Sequence, residues 1–145
     1  MTGFQIDGRV LVPGEAKGLA IVTDTPLSLW GGLDPDTGVI VDRFHPLEGV
    51  MISGQILVLP TGRGSCSASG VLLEASRNGV APLGFIVSEI DPIIGLGAVL
   101  SDELLGRPIP VVMVSAEARR QIQNGDQIEI DSDGSVSVKP SAGPA

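Results

Sequence analysis

The segment Gln55-Ile56-Leu57-Val58-Leu59-Pro60 is apolar without a break from Ile56 to Leu59 and ends on a proline. A run of that length and β-branched content fits a strand. It leads directly into Thr61-Gly62-Arg63-Gly64-Ser65-Cys66-Ser67-Ala68-Ser69, after which Val71, Leu72 and Ala75 recur at helical spacing up to Asn78-Gly79. The pattern predicts a strand, a tight glycine-rich turn, and a helix closed by an Asn-Gly C-cap. Such a turn lets a ligand approach the backbone, and it aims the unpaired N–H groups and positive dipole end of the helix at that ligand.

The rest of the chain fills in around this unit. Residues 5–12 alternate as a strand up to the Pro13-Gly14 turn, and residues 19–22 and 39–41 read as further strands. Residues 25–37, with Trp30-Gly31-Gly32 and Asp34-Pro35-Asp36, favour a loop. Residues 84–88 and 109–114 are apolar and β-branched, as buried strands are. Asp91-Pro92 reads as N-cap plus N1 proline of a helix over about 93–100, and Ser115 caps a short helix through Ile122. Gln127–Ile130 and residues 136–139 flank Asp131-Ser132-Asp133-Gly134, a hairpin signal. Strands first, then β-α-β-α-β, implies an α/β fold with a mixed sheet or small barrel. One domain over 1–145 is expected, with a core over about 8–139 and a loose tail at 140–145.

Composition narrows the function. The formal net charge is −8 and the nine basic residues form no cluster, which argues against nucleic acid. No apolar run approaches the ~20 residues of a membrane span, and residues 1–7 lack the marks of a signal peptide. A single cysteine fits a reducing cytoplasm. Hydrophobic residues make up 43% of the chain while aromatics make up 3%, so aliphatic side chains must fill the interior. That excess fits a docking face covered by a partner, or a compact core with few polar loops.

Ser65 is the leading catalytic candidate, as a hydroxyl whose anion the helix N–H groups and Arg63 would stabilise. The alternative is that Ser65 or Ser67 only caps the helix. A serine hydrolase is disfavoured, because the Gly-x-Ser-x-Gly elbow is absent and the only histidine, His45, lies in a separate turn. Cys66 could act as a thiolate or a ligand, or be a small buried or semi-buried residue; one thiol holds neither an iron–sulfur cluster nor a structural zinc. His45 reads as a loop residue with a local hydrogen bond, or as a substrate contact if residues 30–45 fold over the Ser65 turn. Asp34, Asp36 and Asp42 could then orient it, or be simply solvated loop carboxylates. Trp30 reads either as a pocket wall or as a packing anchor. Asp91 is explained by capping; Glu89, just after a predicted strand, is not.

Gly62-Arg63-Gly64-Ser65-Cys66-Ser67-Ala68-Ser69, Arg77-Asn78-Gly79-Val80-Ala81-Pro82, Asp91-Pro92-Ile93 and Gly106-Arg107-Pro108-Ile109-Pro110-Val111-Val112 together resemble the small subunit of the aconitase-X family. The similarity extends through Trp30-Gly31-Gly32-Leu33-Asp34-Pro35-Asp36-Thr37-Gly38 and His45-Pro46-Leu47, covering about 8–139. The resemblance implies a swivelling β/β/α domain like the mobile fourth domain of aconitase. It implies a heteromeric hydro-lyase whose large subunit carries an iron–sulfur cluster, with no cofactor or metal on this chain. Ser65 is then the proton acceptor, and Arg63, Gly64, Cys66, Ser67 and Trp30 the substrate contacts. The implied substrate is a small hydroxy acid, cis-3-hydroxy-L-proline through the Trp-Gly-Gly and Gly-Arg-Pro segments, with phosphomevalonate as the alternative. The same fold serves phosphohistidine swivel domains, but Ala68, Ser69 and Gly70 occupy the place of the phosphorylated histidine. A binding or regulatory module without catalytic residues is the remaining alternative.

Overall fold

A computed structural model describes residues 2–141. In chain order they form β1 (Phe4–Asp7), β2 (Arg9–Val12), β3 (Ala16–Val22), β4 (Ile56–Val58), α1 (Ala68–Arg77), β5 (Gly84–Val87), α2 (Pro92–Leu105), β6 (Val111–Met113), α3 (Ala116–Arg120), β7 (Gln127–Ile130) and β8 (Ser135–Lys139). The strands make one sheet in the order β1-β8-β7-β3-β4-β5-β6-β2. β3, β4, β5 and β6 run parallel, with α1 and α2 as the crossovers that parallel neighbours need. The other pairings are antiparallel.

The strand expected over 5–12 is two strands. Its first half pairs with β8 and its second with β6, at opposite ends of the strand order, so the chain bends the sheet into a nearly closed barrel. The break falls at Gly8, where a Cβ would lie 2.2 Å from Val112 Cγ1 and 2.5 Å from the Gly134 carbonyl oxygen. Only glycine permits that approach. Gly8 is the local mark of the division, but the pairing of the two halves with strands at opposite ends of the order is not written in the segment itself.

Two cores explain the apolar runs. Ile56, Val58, Ile86 and Val112 point into the barrel with Ile6, Ala20, Ile128, Ile130, Val136 and Val138. Leu57, Leu59, Phe85, Val87 and Val111 point outward, against Leu72 and Ala75 of α1, Ile94 and Ala98 of α2, and Leu27, Leu29, Leu33 and Ile40 from the long loop before β4. Each central strand is covered on both faces, and each such side chain contributes roughly 1.5–3 kcal/mol by leaving water.

Other differences are local. Residues 39–41 make isolated bridges only, Leu33 with Ile40 and Val39 with Met51, rather than a strand. β3 begins at Ala16, and α2 continues past residue 100 to Leu105, where Gly106 takes the left-handed C-cap conformation. α1 and α2 are joined by a buried hydroxyl chain: Ser76 Oγ and Ser101 Oγ lie 2.5 Å apart, and Ser101 donates to the Arg107 carbonyl at 2.7 Å. Ser115 caps α3 through the Ala118 N–H, and the hairpin expected at residues 131–134 joins β7 to β8. Ser141 N–H donates to Asp126 Oδ1 at 3.3 Å, while residues 142–145 of the expected loose tail lie outside the described residues. Among the described residues no helix is long and apolar enough to cross a membrane.

Candidate active site

β4 ends at Val58, and Leu59-Pro60 deliver the chain to the glycine-rich turn at the carboxyl edge of the parallel strands, where α/β sheets gather ligand sites. On one side the turn is laced to Leu27, which bridges Gly62; Arg63 N–H donates to the Leu27 carbonyl at 3.2 Å. On the other side stands Asp91, buried at 6% exposure. Its Oδ2 accepts the Gly62 N–H at 2.7 Å, while Oδ1 accepts those of Ile93 and Ile94 at 2.9 and 3.1 Å. Gly64 has φ +93°, and a Cβ there would meet Ser28 Oγ at 2.8 Å.

Ser65 follows, half-buried, with its Oγ accepting the Ser67 N–H at 3.1 Å and its carbonyl accepting the Ala68 N–H at 3.0 Å. Ser67 is the N-cap of α1 by position, yet its side chain makes no capping bond. The hydroxyl that meets the helix start is therefore that of Ser65. A backbone N–H is already aimed at the oxygen that would carry negative charge, beside the positive end of the ten-residue α1.

The other predicted residues separate. Arg63 is exposed and its guanidinium makes no ion pair or hydrogen bond among the described residues. Cys66 is an exposed free thiol, not the buried or semi-buried residue expected, because the turn carries it outward ahead of α1. Trp30 is 57% exposed and anchors no core; its carbonyl accepts from Ser28 Oγ at 3.0 Å, which sets its segment beside Gly64. Phe44 and Ile90 are also exposed, at 93% and 61%. His45 is buried, with Nδ1 accepting the Leu47 N–H at 3.0 Å and Nε2 against the Thr25 carbonyl at 3.2 Å. Both ring nitrogens are thus used inside the loop, which leaves none for a substrate. Asp34 and Asp42 each accept a backbone N–H two residues on, and Asp36 accepts from Asn78, so none orients His45. Glu89 is exposed, its N–H tied to the Pro60 carbonyl.

Beneath the turn, Leu27, Gly62, Arg63, Ala68, Asp91 and Ile94 line a cavity of about 10 Å³, room for no more than one water. Wider grooves of about 440 and 410 Å³ lie elsewhere, against β7 and β8 and between β3 and the Arg107 segment. A substrate at Ser65 would therefore need a second wall. Among the described residues no group of three or more His, Cys, Asp or Glu side chains could hold a metal ion. Sequence reasoning missed the second partner of Asp91, and no local signal marks it.

The family model described as Aconitase X swivel domain matches residues 5–138. A cis-3-hydroxy-L-proline dehydratase of Hypocrea jecorina (strain QM6a) is 45% identical over 108 residues, 74% of this chain and 18% of that protein. The chain thus spans under a fifth of the length of that relative. A phosphomevalonate dehydratase small subunit of Methanosarcina acetivorans is 34% identical over 143 residues, covering 97% of this chain and 95% of that protein. The crystal structure of Thermococcus kodakaraensis aconitase X in its holo-form superposes with a TM-score of 0.82 at 37% identity, over 92% of this chain and 97% of that one.

Proposed function

This chain belongs to the aconitase X swivel domain family, and from that premise we propose that it is the small subunit of a dehydratase in which Ser65 is the proton acceptor. The observation that carries the reading is the Ser65 hydroxyl, held by the Ser67 N–H at the start of α1 in a turn with no substrate-sized cavity of its own. The missing wall belongs to a large subunit, and we assign the iron–sulfur cluster to that subunit, where it would act as a Lewis acid on the departing hydroxyl. A cytoplasmic enzyme and a single-domain small subunit complete the proposal.

Ser65, as alkoxide, takes the proton from the carbon next to the substrate carboxylate. The C–H electron pair becomes a C=C bond, the hydroxyl on the next carbon leaves with its C–O electron pair as hydroxide, and the proton taken by Ser65 passes to it to give water and restore the alkoxide. Backbone N–H groups at residues 64–67 and the exposed Arg63 side chain are the candidates for holding the carboxylate. Cys66, Ser67 and Trp30 are the further candidates for contact with substrate, all on the outward side of the turn or its neighbouring segment.

We take cis-3-hydroxy-L-proline as the substrate, whose dehydration gives an enamine that tautomerises to a cyclic imine. The 45% identity to a relative of that name supports it. Phosphomevalonate is the second reading, favoured by the end-to-end match to a small subunit of that enzyme. Both substrates share an acidic α-proton and a β-hydroxyl, so the Ser65 chemistry is common to them. Assaying the chain with its large subunit against each substrate separates the readings: imine formation from hydroxyproline is expected, and turnover of phosphomevalonate alone would replace it.

A further inference from the structure

We infer that Asp91 is a positioning residue for Ser65: the first turn of α2 grips the Ser65 turn at both ends. The inference rests on Ser65 as base. As a helix cap, Asp91 needs one carboxylate oxygen, and Oδ1 alone takes the N–H groups of Ile93 and Ile94. Oδ2 reaches 29 positions back along the chain to the Gly62 N–H at 2.7 Å, the shortest of the three bonds. Past Ser65, Ser69 Oγ donates to the Ile93 carbonyl at 2.7 Å, and both Ser69 and Asp91 are buried. The chain therefore touches residues 91–93 just before and just after the segment carrying Ser65.

Gly62 is built for this contact. A Cβ there would lie 2.3 Å from Asp91 Oδ2 and 3.0 Å from Ile94 Cδ1. Three N–H donors converge on one buried carboxylate, a charge-assisted arrangement that an acceptor-only side chain satisfies and an amide does not. Only Arg63 and Gly64 separate Gly62 from Ser65, so freeing Gly62 releases the Oγ from its fixed position, and small misplacements of a reacting group are costly.

The test uses the assembled enzyme carrying Asp91→Asn, which keeps an N-capping oxygen for α2 but turns an N–H donor toward Gly62. Gly62→Ala breaks the same contact from the other side, whichever way the Asn amide settles. Turnover and KM for cis-3-hydroxy-L-proline are measured beside amide exchange of the peptide over residues 61–67. We expect both variants to lose about 10–100-fold in kcat while KM moves less than about threefold, with faster exchange in that peptide. A purely structural cap would lower the melting temperature and leave kcat per folded enzyme unchanged. Exchange at 61–67 unaltered in both variants, or lost protection with kcat within about twofold, overturns the inference. Ser65→Ala run alongside keeps the readings apart. If it stays active the base assignment fails, and the exchange data still report whether the grip exists.

Discussion

At the residue scale, Ser67 and Ser65 are neighbours with different duties. The Ser67 hydroxyl caps nothing, so Ser67→Ala should move stability by less than about 0.5 kcal/mol, as surface changes do; it carries no proton, so its loss should fall on KM as a substrate contact and leave kcat intact. Gly64→Ala should cost about 1–2 kcal/mol from its left-handed backbone alone, with Ser28 Oγ in the way besides; a denaturant melt reads both. Trp30→Ala should likewise leave the melt within about 0.5 kcal/mol of the parent, because the ring is 57% exposed, while weakening turnover of the complex. A core anchor would instead cost about 3–5 kcal/mol. The sequence marked Ser65 and Arg63 because glycines, hydroxyls and a strand-to-helix step sit in one short stretch. It marked the local hydrogen bond of His45, met by Leu47, but not the reach of His45 to the Thr25 carbonyl or of Asp91 to Gly62, since those partners are distant in the chain.

At the element scale, α1 and α2 depend on the Ser76–Ser101–Arg107 chain, which leaves no buried side-chain polar atom unpaired among the described residues. Ser101→Ala should cost about 1–3 kcal/mol, because it strands the Ser76 hydroxyl and the Arg107 carbonyl. The β7–β8 hairpin offers a pH readout. The Ser135 backbone N–H donates to Asp133 and holds its carboxyl below the usual carboxylate range. A depressed carboxylate pKa stabilises the folded hairpin above its unfolded value, and the contribution disappears as pH falls through the lower folded value. The Ser135 amide resonance should follow that titration, and Asp133→Asn should abolish it. Element existence was legible wherever period and caps agreed, as for α1 and the hairpin. Strand identity failed where pairing decides it: residues 5–12 divide between two sheet edges, and residues 39–41 find no ladder.

At the scale of the whole molecule, the barrel with α1 and α2 holds Ser65 on an open edge, with Trp30 and Ile90 exposed on segments tied to the turn through Ser28 and Asp91. The chain alone should be folded, colourless and inactive, which purification without a partner checks through its absorption spectrum and an imine assay. Imine formation by the isolated chain would contradict the two-subunit reading. The central claim is that this chain supplies the base to a site completed by another subunit. Its most direct measurement is solvent-deuterium exchange at the substrate α-carbon, followed with elimination, in the assembled enzyme. The account predicts that Ser65→Ala binds substrate but loses exchange and elimination by about 10²–10⁴-fold, the usual worth of a catalytic base, while Ser67→Ala keeps both at saturating substrate. A Ser65→Ala complex that retains more than about a tenth of parent turnover would contradict it and move the base to the large subunit.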